Sequence, residues 1–245
     1  MRFDAVFFDS GGTLYQLEPR EGLAPGTTRA EIDAQGPQRV VKALEGLGRT
    51  CEPARVTQAV QAALKEFRER HARQLVYHHG DVMISVLQKL GLPAGAEDAV
   101  CLADAFSGPR YATWLFPGTA ETLRELADAG VYIGLIANTA VPSWSMDRAF
   151  HGVGLLQFFR TRIYSGDERL AKPDARIFEL AAQRAGVSGK RILYVGDSVE
   201  FDIVAARNAG WSAAHKRPAG EPDCPQADFS FDHTPDLAGY VLGKK

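Results

Sequence analysis

The sequence predicts an α/β fold, a doubly wound and mostly parallel sheet with a long helical insert after its first strand. Three observations lead there. Short, continuously apolar runs at 5–8, 131–137 and 192–195 have the pattern of strands buried on both faces. Segments with helical spacing separate the later runs, an alternation that builds parallel sheets covered by helices. Between about 15 and 115 the alternation stops, and only helical periodicity remains.

In chain order, Ala5-Val6-Phe7-Phe8 is the first strand, and it ends ahead of the pair Gly11-Gly12. The insert follows, with apolar residues at helical spacing in three groups. These are Val40, Val41, Leu44 and Leu47; then Val56, Ala59, Val60, Ala63, Leu64 and Phe67; then Val82, Met83, Val86, Leu87 and Leu90. The expected division is therefore an α/β core of 1–14 and 116–245 and a helical unit of 15–115, with Pro117-Gly118 marking the return to the core. Ala120, Leu123, Leu126 and Ala127 form a helix before the strand at 131–137. Thr161 to Tyr164 is a weaker strand, and Ile177, Leu180, Ala181 and Ala185 lie on a helix before the strand at 192–195. Ile203, Val204, Arg207 and Asn208 belong to the helix after it, and 212–215 and 229–231 add edge strands. The stretch 218–225, rich in Pro, Gly and acidic residues, is a surface loop.

Composition narrows the function. A chain of 245 residues with 45% hydrophobic and 24% charged residues has the make-up of a folded globular protein. The net charge is −2 and no basic block is present, so nothing favours a nucleic-acid partner. Cys51, Cys101 and Cys224 are far apart and lack CxxC spacing, which points to reduced thiols in a cytoplasmic protein rather than to a disulfide framework or a zinc site. The apolar run near the start is only four residues long, too short for a signal peptide, and no run approaches the length of a membrane span.

Open α/β sheets bind ligands beyond the carboxyl ends of their strands. Those ends carry Asp9-Ser10-Gly11-Gly12-Thr13-Leu14, Asn138-Thr139, Lys172-Pro173-Asp174, and Gly196-Asp197-Ser198 with Asp202 just beyond. Carboxylates and a lysine converging on one edge suit phosphoryl transfer. Mg2+ takes hard oxygen ligands, a carboxylate can attack phosphorus, and a lysine offsets the accumulated negative charge. Glycines after Asp9 let the backbone bend close to a phosphate.

These segments resemble, in order and spacing, the four motifs of the haloacid dehalogenase-like hydrolase superfamily. Asp9 to Leu14 resembles the first and Leu135 to Asn138 the second. Ser165-Gly166 to Lys172-Pro173-Asp174 resembles the third, and Tyr194 to Asp202 with Ala205 to Gly210 the fourth. The resemblance implies a Rossmann-like core, a helical cap formed by the insert, and a site for Mg2+ and a small phosphorylated substrate. It implies Asp9 as nucleophile and metal ligand, the Gly11 carbonyl and Asp197 as further ligands, and Asp202 as a ligand or a support. It also implies Lys172 as holder of the phosphate and of Asp9, and Asn138 as a neighbour of the phosphate through its backbone N–H. Ser10 and Thr139 border the same site.

Two positions depart from that pattern. The acid–base Asp two residues after the nucleophile is Gly11, and proton transfer of that kind is typically worth about 10²–10⁴-fold. The second-motif hydroxyl is replaced by Ala137, with Thr139 and Ser10 as candidates to substitute for it. The expected activity is Mg2+-dependent phosphate release through an aspartyl-phosphate on Asp9, fastest with good leaving groups. The alternatives are a phosphate-ligand or partner-binding protein with little turnover, and a haloacid dehalogenase, against which the retained metal-ligand carboxylates argue. Within the insert, Arg70, His71, Tyr77, His78, His79, Arg110 and Trp114 are candidate specificity residues, with packing the expected role of His78-His79.

Overall fold

The computed structural model describes residues 1–16, 29–71, 74–109, 114–187 and 191–244. Six parallel strands form one sheet: β1 (Ala5–Phe8), β2 (Tyr132–Ala137), β3 (Thr161–Tyr164), β4 (Ile192–Gly196), β5 (Ser212–Lys216) and β6 (Phe229–Phe231), in the order β3-β2-β1-β4-β5-β6. The order runs outward from β1 in both directions, so the topological switch lies at β1, between β2 and β4.

Strand side chains alternate between faces, and each face has its own core. Val6, Phe8, Leu135 and Val195 pack with α6 (Thr119–Asp128), α7 (Ser143–Gly152) and α11 (Thr234–Leu242). Phe7, Ile136, Ile192 and Tyr194 pack on the other face with α9 (Ala175–Ala185) and α10 (Ala205–Asn208). The β1 register matches Phe8 to Leu135 and to Val195, which brings the three strand ends level. Gly134 is paired with Phe7, and a Cβ there would come within 2.2 Å of the Phe7 ring.

One sequence expectation is corrected. The segment at 212–215 is not an edge strand, because β5 lies between β4 and β6 and its last four residues are buried. Its small alanines and His215 disguise a central strand whose neighbours provide the bulk. The edge on that side is β6.

The helices α1 (Arg29–Ala34), α2 (Gly36–Gly46), α3 (Pro53–Arg70), α4 (His79–Leu90) and α5 (Ala96–Ser107) form a separate layer. Its core gathers Val40, Leu44, Val60, Val86, Leu87 and Leu102, each contributing about 1.5–3 kcal/mol on full burial. The segment entering α4 stitches this layer to the sheet. The His79 N–H donates to the Ala140 carbonyl at 2.7 Å. Ser165 Oγ donates to the Leu75 carbonyl. Arg169 grips Asp81 with two donors, at 2.5 and 2.8 Å. Asp81 also completes a capping box with His78, which is the role the structure gives that imidazole.

Gly166 sits in this seam, where a Cβ would stand 2.5 Å from the Tyr77 carbonyl oxygen and 2.9 Å from that of Thr139. Both obstacles are backbone and cannot swing away. Gly166→Ala is expected to lower unfolding stability by about 1–3 kcal/mol, as overpacking does, read as a fall in the urea midpoint at unchanged slope.

Candidate active site

The site is assembled from the ends of β1, β2 and β4 and the segment after β3. The Asp9 N–H continues the ladder by donating to the Val195 carbonyl at 2.8 Å, so the residue is fixed as firmly as the strand it follows. The turn then tightens, with the Leu14 N–H donating to the Ser10 carbonyl at 2.8 Å and the Gly12 N–H to the Tyr15 carbonyl at 2.7 Å. Gly12 has φ +85° and faces Asp197 so closely that a Cβ would lie 2.2 Å from Asp197 Oδ2. Only glycine satisfies both demands.

Lys172 is the centre of the arrangement, with 3% of its surface exposed. Its Nζ donates to Asp9 Oδ1 at 2.7 Å, to Asp202 Oδ1 at 2.6 Å and to the Tyr194 hydroxyl at 2.7 Å. An ammonium has three donors, and all three are engaged. Burial pulls the Lys172 pKa down, but Asp202 and Asp9 outweigh it, and the result is raised. The Lys172 main chain is held as well: its N–H donates to Asn138 Oδ1 at 2.9 Å, and its carbonyl accepts from Asn138 Nδ2 at 2.8 Å. The Asn138 side chain thus serves Lys172.

The two acidic residues after β4 differ. Both Asp202 oxygens are engaged, Oδ1 by Lys172 and Oδ2 by the Ser198 N–H at 2.9 Å. Asp202 lies in a π-helical turn, Val199–Val204, and Gly196 makes room for its carboxylate. Asp197 is partly exposed, with the Thr13 hydroxyl 3.4 Å from Oδ1, and its carbonyl accepts from His215 Nε2 at 3.1 Å. Burial pushes the Asp9 carboxyl up to about 7; Lys172 opposes the rise, and Asp202 and Asp197 add to it. Burial raises Asp197 too, with Asp202 reinforcing it.

Carboxylate oxygens of Asp9, Asp197 and Asp202 lie within 4.8 Å of one another. The set fits a hard divalent cation, which takes one or two carboxylates and completes its shell with water and substrate oxygens. Asp9 and Asp197 are the members with acceptor capacity to spare. Asp202 in this arrangement orients Lys172 and the turn.

Asp9, Ser10, Gly11, Asn138 and Thr139 line one side of a cavity of ≈ 540 Å³. Gln61, Leu64, Arg68, Tyr77, His79 and Phe106 from the helical layer face them. The Thr139 hydroxyl accepts from the Val141 N–H at 3.0 Å, and Ser10 is buried. Among the insert candidates, Tyr77 and His79 reach the cavity. His71 stacks on both Phe67 and Tyr77, which also touch each other, Arg70 lies over Phe67, and Trp114 is buried; Arg110 is outside the described residues. Sequence reasoning missed Thr13, Tyr194 and His215 as contributors. For Tyr194 a signal existed, since a hydroxyl within the apolar run Ile-Leu-Tyr-Val needs a buried partner.

Residues 3–210 match the family described as haloacid dehalogenase-like hydrolase. The chain belongs to that family. It is 27% identical to a glyceraldehyde 3-phosphate phosphatase from Methanopyrus kandleri, over 97% of this chain and 96% of that protein. It is 30% identical to a phosphoserine phosphatase from Thermus thermophilus, over 74% of this chain and 64% of that one. Its fold resembles that of a 2-haloacid dehalogenase from Pseudomonas syringae pv. tomato DC3000, with a TM-score of 0.66 at 20% identity, covering 99% of both chains. As a haloacid dehalogenase-like hydrolase the chain is an enzyme of the hydrolase class. No helix among its described residues is long and apolar enough to cross a membrane.

Two outcomes follow from the geometry. A proton on Asp9 competes with a cation, and its carboxyl titrates near 7. Calorimetric titration with Mg2+ is therefore expected to show affinity falling about tenfold per pH unit below 7, with proton release on binding. Gly12→Ala, which drives a methyl into Asp197, is expected to weaken Mg2+ binding at least tenfold at pH 8 and to cost about 1–2 kcal/mol of stability from its left-handed backbone.

Proposed function

We propose that this chain is a Mg2+-dependent phosphatase acting on a small phosphorylated metabolite through an aspartyl-phosphate on Asp9. The observation that carries the reading is the Lys172 ammonium bridging Asp202 to Asp9, which itself lines a cavity large enough for such a substrate. The phosphatase names of the two sequence relatives agree with it. Asp9 and Asp197, with the Gly11 carbonyl, would hold Mg2+, and Asp202 would support them. When bound, the ion supplies charge that draws the phosphoryl oxygens in and lowers the Asp9 pKa.

In this mechanism the Asp9 oxygen that is not held by Lys172 attacks phosphorus. The bond to the leaving oxygen breaks, and water later cleaves the aspartyl-phosphate to release inorganic phosphate. Lys172 keeps Asp9 oriented and offsets negative charge as the transition state forms. Ser10 and Asn138 would offer backbone N–H groups to the phosphoryl oxygens, whereas the Thr139 N–H is given to Ser165 Oγ at 2.9 Å. The helical layer acts as a cap, with Tyr77, His79 and Arg68 contacting the rest of the substrate and water kept out around the reacting atoms.

Gly11 brings no acid to the leaving group, so departure depends on the substrate's own chemistry. Acyl and aryl phosphates are expected to turn over about 10²-fold or more faster than alkyl phosphates such as sugar phosphates. A second reading, phosphate-ligand binding with little turnover, draws on Gly11 together with Ala137. Phosphate release from an aryl and an acyl phosphate, with Mg2+ and with chelator, separates the two. Mg2+-dependent release that disappears in Asp9→Asn supports the phosphatase; equal inactivity of wild type and variant sinks it in favour of the binding protein.

A further inference from the structure

We propose that the Tyr194 hydroxyl is a positioning group for Lys172 and, through it, for Asp9. For its kinetic readout the proposal rests on the phosphatase reading; its geometry does not.

Tyr194 is fully buried in β4, with its ring fixed edge-on against Phe178 at 5.1 Å and tilted against Trp211 at 6.5 Å. The hydroxyl has one proton, and it donates that proton to the Ile136 carbonyl at 2.9 Å. Its oxygen can therefore meet Lys172 only as an acceptor, and it does so at 2.7 Å. Ile136 belongs to β2, two strand spacings or about 10 Å from β4. Tyr194 thus reaches across β1, the strand that leads into Asp9.

The result is a lysine tied to one strand at both ends. Its main chain is clamped by Asn138 at the end of β2, and its ammonium is tethered through Tyr194 to the carbonyl of Ile136, two residues earlier. A side chain held this way cannot swing out to follow an arriving phosphate; it stays on Asp9 and Asp202. Without the hydroxyl, one ammonium N–H is left buried with no acceptor, and Nζ is free to drift toward the carboxylates.

The test compares wild type, Tyr194→Phe and the packing control Leu126→Ala, in the core on the other face of the sheet. Turnover of 4-nitrophenyl phosphate with Mg2+ is measured alongside thermal midpoints and the exchange-protected ¹H–¹⁵Nζ lysine resonance of the metal-free protein, assigned by its loss in Lys172→Arg. Tyr194→Phe is expected to lower kcat about 10–100-fold, the span of one lost hydrogen bond to a charged group. KM should stay within about twofold, and the Lys172 resonance should broaden or vanish. Leu126→Ala should lower the midpoint at least as much while kcat and the resonance persist. A Tyr194→Phe protein that keeps both kcat and the resonance overturns the proposal, as does a wild type with no protected lysine signal. If the wild type releases no phosphate, the phosphatase reading fails, and the resonance alone decides on Tyr194: its loss supports the role and its survival refutes it.

Discussion

The ammonium of Lys172 has almost no access to water, and a buried charge of that kind survives only where the protein replaces every lost water contact. Three acceptors have to arrive from three separate places: Asp9 from the end of β1, Asp202 from the π-helical turn after β4, and Tyr194 from within β4. Meeting that demand fixes the rest. Gly196 is glycine because the Asp202 carboxylate needs the space, and the Asn138 side chain turns toward the Lys172 backbone because the lysine must be held at that end too.

The charge is not balanced by this arrangement. Three carboxylates cluster around a single lysine, so the site is short of positive charge; burial is the main cause of the raised pKa values of Asp9 and Asp197, and the neighbouring carboxylates add to it. A site left in this condition is poised for a cation. It is also held together tightly enough that adding one need not rearrange the strands, because the residues with oxygens to spare come immediately after β1 and β4, which are hydrogen-bonded neighbours.

Much of this was legible in the sequence, for physical reasons that differ by element. The buried parallel strands were visible because strands covered on both faces become continuous apolar runs, as at β1, β2 and β4. Asp9 and Asp197 were visible because polar residues directly after such runs lie at the ligand-binding edge, and Lys172 and Asp202 because the motifs around them resemble the family's. Position along the chain says nothing of side-chain direction. Asn138 reads as a phosphate neighbour, yet its amide is committed to Lys172, and Asp202 reads equally as ligand or support until both its oxygens are seen to be engaged. The misjudged rank of β5 and the unanticipated helices α5, α7 and α11 have a common cause. Small or polar residues interrupt their apolar faces: Ala213 and Ala214 in β5, Ala99 and Ala103 in α5, Ser145 in α7 and Thr234 in α11.

The central place of β1 has a bearing on how the fold is reached. Its hydrogen-bonded partners, β2 and β4, lie well over a hundred residues further along the chain, with the whole helical layer between. Contacts of such sequence separation require large loops to close before they return any stabilisation, which slows folding. The helical layer, built from near neighbours, can condense on its own timescale. Until β4 docks, Asp9 lacks its backbone anchor, and Lys172 lacks two of its three acceptors, Tyr194 and Asp202. The complete site therefore exists only once the sheet has closed.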